Sequence, residues 1–177
     1  MHGFKIAIAT EDKVPEDLIC IGTDLHGVVQ DDEDISKEEK VIESVDIFFD
    51  TVDNDVREKS SSMLAKIVIK GKISKAAGLT KKLRKISEWA HDCSSETMYR
   101  DICIAVKETA TSFQVVYVFK KVFVVDYKEI YECDGIGGSN SKAQDGFELR
   151  LTQLENNLHK IDVLSDWPAE WEWARKG

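Results

Sequence analysis

The stretch FQVVYVFKKVFVVDYKEIY, Phe113 to Tyr131, constrains this chain more than any other part of it. Val, Tyr and Phe dominate it, the β-branched and aromatic types that suit a pleated surface. Successive side chains of a strand point to opposite faces. Phe113, Val115, Tyr117 and Phe119 are therefore expected on one face, continued by Phe123, Val125 and Tyr127. Val116, Val118, Val122 and Val124 make the other face nearly as apolar. Lys120 and Lys121 interrupt the run, which predicts two strands or one sharply bent strand. A strand apolar on both faces has to be covered on both, in a central sheet position or where chains meet. The four valines are accordingly the expected subunit-interface residues.

The neighbouring segments read as partners for such a strand. FKIAIAT (Phe4 to Thr10) alternates as a half-buried strand should, and VDIFFDTV (Val45 to Val52) gives another. Shorter apolar pieces lie around Leu18 and Val28, and the charged stretch Asp31 to Glu43 reads as a solvated loop or short helix. In MLAKIVIKGKI, Ala65, Ile67, Ile69 and Ile73 face one way, while Lys66, Lys70 and Lys72 face the other with Leu64 and Val68. One helix is predicted, Thr80 to Asp92, with Leu83, Ile86 and Ala90 at helical spacing, Trp89 beside them and Thr80 as N-cap. A strand aligning Met98, Ile102, Ile104 and Val106 follows, and GFELRLTQL closes the series with Phe147, Leu149 and Leu151 inward. In the tail DWPAEWEWARKG, Pro168 suits the first turn of a short helix. Trp167, Trp171 and Trp173 there either pack on the domain's own core or dock onto a neighbouring subunit.

Several strands, one helix and several more strands predict a mainly β protein. The expected architecture is a barrel or sandwich of two antiparallel sheets with one flanking helix and a short C-terminal helix or tail. Residues 1–166 would form one domain and residues 167–177 a Trp-rich tail.

Catalytic chemistry finds little support in the residues. The formal net charge of -9 opposes binding of nucleic-acid phosphates over the whole surface. Cys20, Cys93, Cys103 and Cys133 show no CxxC spacing and read as free thiols of a reducing compartment. The GIGG at Gly135 to Gly138 has Asn140 where a dinucleotide fingerprint needs its third glycine, so it reads as a strand-connecting loop. The acidic clusters Asp31 to Asp34 and Asp50 to Asp55 lack the Gly and Glu spacing of a calcium loop. His91, Asp92 and Cys93 are neighbours at a helix end, whereas catalytic partners come from distant segments. No enzyme activity, cofactor or metal is expected. No charged-then-apolar leader opens the chain, and no apolar run approaches the ~20 residues of a membrane span.

The order of elements from about Val45 to Leu154 resembles the tail-tube family of contractile injection systems, which includes the hemolysin co-regulated protein of type VI secretion. The resemblance is carried by VDIFF, the polar DNDVREKSSS, KIVIKGKI, a lone helix with LRKISEWA, RDICIAV, VVYVFKKVFVVDY and FELRLTQL. It implies a structural role in rings, six subunits each, stacked into a hollow tube that carries DNA or effector cargo. The stacking element would be the loop Asp53 to Ser62, with Asp53, Asn54, Asp55, Arg57, Glu58 and Lys59 as its charged and polar contacts. The implied partners are other copies of the chain, a contractile sheath protein, and baseplate or hub proteins. Assembly would begin in the cytoplasm and end in a phage-like or secretion particle. The alternatives are a tube-initiator or hub-adaptor subunit, or a monomeric ligand-binding β-barrel.

Overall fold

A single bend in the long strand shapes the whole sheet. The computed structural model describes residues 3–10, 17–22, 41–51, 63–73, 77–95, 97–108, 112–131, 145–153 and 161–175. The strands are β1 (Gly3–Ala9), β2 (Ile19–Gly22), β3 (Ile42–Thr51), β4 (Met63–Lys72), β5 (Arg100–Lys107), β6 (Phe113–Ile130), β7 (Gly146–Gln153) and β8 (Ile161–Leu164). Helix α1 spans Ala77–His91, and the tail forms a 3-10 turn, Ala169–Trp171, followed by the one-turn helix α2, Glu172–Arg175. All pairings are antiparallel, in the order β2-β1-β5-β6-β7-β4-β3, and β8 lies against β6.

This is one eight-stranded sheet, where two sheets were expected. The reason is the length of β6: its 18 residues bend at the lysines without breaking. Its first half carries β5 and its second half carries β7, so two wings stay in one hydrogen-bonded path. The path is not closed, since β2 and β3 at its ends do not pair. Both wings nevertheless share one core, in which Ile6, Ile8, Ile102 and Ile104 meet Ile67, Ile69, Leu149 and Leu151.

Strand alternation decides which residues reach that core. In β4, Ala65, Ile67 and Ile69 are buried, and in β7 Phe147, Leu149 and Leu151 are buried. The opposite face of this wing is charged, with Lys66–Asp50, Lys70–Glu148 and Lys72–Glu43 ion pairs across neighbouring strands. Helix α1 covers the core with Leu79, Leu83, Ile86 and Trp89. The helix starts earlier than expected, so Thr80 lies within it and is not the N-cap, and Trp89 takes the buried place foreseen for Ala90. The Trp89 indole N–H donates to Met98 O at 2.8 Å, tying the helix end to the approach to β5.

The β1–β5–β6 wing is covered on both faces. Its second face is lined by the small residues Ala7, Ala9, Cys103 and Ala105 together with Val116 and Val118, and Trp167 and Trp171 of the tail lie on it. The tail aromatics thus pack on the chain's own fold. Among the described residues, no helix is long and apolar enough to cross a membrane.

Candidate assembly surface

Three irregularities in β6 decide which of its residues face inward. Opposite β5, the pairing steps from Val106↔Val115 to Lys107↔Phe113, so Gln114 is bulged out and Phe113 turns to the tail, its ring 5.7 Å from Trp167. The second step, from Ile102↔Phe119 to Arg100↔Val122, accommodates Lys120 and Lys121. Lys121 has φ 53, a left-handed conformation that costs a non-glycine residue about 1 kcal/mol or more. The third bulge is Val125, between Val124↔Leu151 and Asp126↔Arg150. Each extra residue reverses the alternation.

The faces read from the sequence are corrected accordingly. Phe113 does not share a face with Tyr117 and Phe119, and Val122 and Val124 join the main core while Val116 and Val118 lie under the tail. Val116, Val118 and Val122 are fully buried in the chain's own fold, so their side chains are not available to a neighbour. The two lysines mark one bulge in the sequence, whereas those at Gln114 and Val125 leave no compositional mark.

Side chains from two other strands hold the bend. Asp101 Oδ1 accepts the Lys121 N–H at 3.1 Å, and its Oδ2 lies 3.1 Å from Lys120 Nζ. Gln153 donates its Nε2 proton to Lys120 O at 2.9 Å. Asp101 and Gln153 are themselves buried. One oxygen of Asp101 and the amide nitrogen of Gln153 are thereby bonded to the backbone of the bend, which helps to hold a conformation the chain would otherwise avoid.

Past the bend, one edge of β6 is open among the described residues. Val122 pairs with Arg100 on one edge and Gln153 on the other, which places β5 and β7 on opposite edges. Beyond it only the β7 edge is occupied, so the β5-side edge of Phe123–Ile130 has no strand among the described residues. Val125, Ile130 and Tyr131 are exposed there. Glu129 accepts the hydroxyls of Tyr127, at 2.5 Å, and Tyr131. Burial and the neighbouring Glu129 carboxylate push the Tyr127 phenol well above its usual range. It is therefore a neutral donor at any physiological pH.

A second apolar surface opens where the core reaches the end of the sheet. The Phe49 ring lies 6.4 Å from Phe119, which stacks on Tyr117 at 6.0 Å. Tyr117 pairs with Val163 and Phe119 with Ile161, so the β8 residues continue the same face. Phe119 is buried, but Phe49 is 49% and Val163 60% exposed. This seam lies beside β3 and β8, each of which pairs with a single strand among the described residues. β8 was not foreseen from the sequence. The signal available was the alternation of Ile161 and Val163, hidden in the polar surroundings of HKIDVLSD.

The loop residues Asp53, Asn54, Asp55, Arg57, Glu58 and Lys59 lie outside the described residues. His91, Asp92 and Cys93 do not form a nucleophile set. His91 Nδ1 lies 2.7 Å from Ser87 O, and the Cys93 thiol donates to His91 O. Asp92 accepts from the Thr97 hydroxyl and the Ser94 N–H, bonds that lower its carboxyl pKa. These contacts end the helix. Beside them is a cleft of about 440 Å³ lined by Asp17, Lys85, Glu88, Trp89, His91, Asp92 and Arg100. Arg100 is held there with its guanidinium 5.3 Å from the Trp89 ring and its Nη1 donating to Asp17 O. Among the described residues no three His, Cys, Asp or Glu side chains are grouped to hold a metal ion.

No protein-family description matches the sequence, and no curated protein does. Solved structures do resemble it. A chain of the sheath-tube complex of the extracellular contractile injection system PVC, in its extended state, is 13% identical with a TM-score of 0.46, over 92% of this chain and 88% of that chain. A chain of the PVC sheath/tube terminator in the extended state is 12% identical with a TM-score of 0.47, over 91% of this chain and 92% of that one. Hcp1 from Salmonella typhimurium is 9% identical with a TM-score of 0.43, over 84% of this chain and 81% of that one.

Proposed function

We propose that the chain is a structural subunit of the inner tube of a contractile injection system or phage-like tail. The observation that carries this is the apolar seam of Phe49, Tyr117, Ile161 and Val163 beside open strand edges. An exposed edge bordered by apolar side chains is the arrangement that native monomers avoid, and a second copy of the sheet is its natural cover. Because the exposed β6 edge and the seam are different patches, contact between copies is head-to-tail, and such contacts close into a ring when the rotation allows. The resemblance in element order supplies the expectation of six subunits per ring and of a lumen for DNA or effector cargo. In that setting the partners are a sheath protein outside the tube and baseplate or hub proteins at its end.

The interior argues against a ligand-binding barrel. Where such a barrel needs a cavity with convergent polar groups, this core is filled by Ile, Leu, Phe and Trp side chains. The role assigned is structural, with no reaction.

Stacking of rings is assigned to Asp53 to Ser62, whose Asp53, Asp55 and Glu58 oppose Arg57 and Lys59 in sequence. Deleting residues 53–60 and closing the gap with Gly and Ser should leave rings but abolish tubes. Sedimentation velocity over a concentration series tests the reading, the expected result being a shift from monomer to one closed oligomer. Tubes that still form normally from the deleted chain would remove the loop from this role.

A further inference from the structure

Three parts of the chain meet at the ammonium of Lys120. It lies 3.1 Å from Asp101 Oδ2 in β5 and 3.7 Å from Glu170 Oε1 in the tail. The tail holds its own shape: the Trp167 indole donates to Trp171 O at 2.7 Å, the Trp171 N–H donates to Pro168 O, and Trp171 and Trp173 rings lie 5.6 Å apart. Its indoles rest on Ala7, Ala9, Ala105 and Cys103, where larger side chains would leave no room. The strand just before it, β8, pairs with Val116–Phe119, immediately ahead of the bend. The C-terminal segment therefore grips β6 along its first half and again at Lys120.

We propose that this tryptophan-bearing segment is a clamp that sets the direction in which β6 leaves its bend, and so presents the Phe123–Ile130 edge to a second copy of the chain. The second clause rests on the assembly reading above, and the first stands without it. A left-handed residue such as Lys121 persists only where its surroundings over-determine it. Asp101 and Gln153 supply part of that determination from within the sheet. The tail supplies the rest through Glu170, whose partner Lys120 has a side chain only 26% exposed, which limits solvent screening on that side of the pair. Were the tail merely a cover for apolar surface, disturbing Glu170, itself half exposed, would leave the bend untouched.

The experiment is residue-resolved hydrogen exchange on the full chain, comparing wild type with Glu170→Lys and Glu170→Asp. The lysine variant sets a like charge against Lys120 without touching a tryptophan. Exchange of the Lys121 amide and of the β7-bonded amides of Phe123–Ile130 should quicken about fivefold to tenfold, with β3 and β4 amides unchanged. The difference should shrink in about 0.5 M salt, and Glu170→Asp should behave as wild type. No change at Lys121, or an equal rise across the whole sheet, overturns the clamp. Oligomer content separates the two ideas. A loosened edge in a protein that never forms rings would uphold the clamp and defeat the assembly reading; rings with unaltered exchange in Glu170→Lys would do the reverse.

Discussion

Replacing Phe49 by Ser tests the seam quantitatively. A phenylalanine buries 150–250 Å² when fully covered, so a ring that is 49% exposed leaves roughly 100 Å² for a partner. At about 25 cal/mol per Å² this is about 2.5 kcal/mol for each contact between copies. The association constant should therefore fall about 60-fold, because each 1.4 kcal/mol is a factor of ten. The buried half of the ring, against Phe119, costs a similar ~2.5 kcal/mol of folding stability. A domain with an ordinary margin of about 5–15 kcal/mol remains folded. Sedimentation velocity gives the association constant and thermal unfolding the stability. Phe48→Ser is the matched control: the residue is 51% exposed but pairs with Lys66 on the charged face, so association should hardly change. Equal association by wild type and Phe49→Ser, with the stability loss present, would refute the seam as an interface.

Trp171→Ala should cost about 3–5 kcal/mol, since the indole is fully buried, and should appear as a lower midpoint in thermal unfolding. Gly71→Ala should cost about 2–3 kcal/mol in urea denaturation, because its new Cβ would stand 2.4 Å from Val41 O and 2.6 Å from the Phe147 ring. Alkylation at pH 8 should modify Cys93, which is exposed, while Cys103 waits for unfolding, its thiol pushed up to about 12 by burial. Cys20, also raised by burial, should lag with it, as peptide mapping would show.

The elements themselves were legible because burial on one face writes a period into the sequence. Ala65, Ile67, Ile69, Phe147, Leu149 and Leu151 lie inward as alternation required, and α1 buries Leu83 and Ile86 as its spacing required. What failed was continuity of phase along β6. An expectation built on strict alternation put Val122 and Val124 opposite Phe119, and the bulge at Lys120–Lys121 moved them onto its face. The signal for the bend was present as two lysines in an apolar run, but its stabilisers, Asp101 and Gln153, come from distant strands. For the same reason the exposed seam was unreadable. Phe49, Tyr117 and Val163 lie far apart in sequence and meet only through the pairing of β8 with β6 and the stacking on Phe119. The two-sheet expectation failed because one bent strand keeps two wings connected, which composition cannot distinguish from two strands.

Electron microscopy of the purified chain at high concentration is the most direct test of ring formation. Closed rings of one size, with a central channel, are expected, and stacks of rings when a sheath protein is present. Isolated particles of monomer size under every condition, with the protein folded and the sheath present, would contradict this expectation.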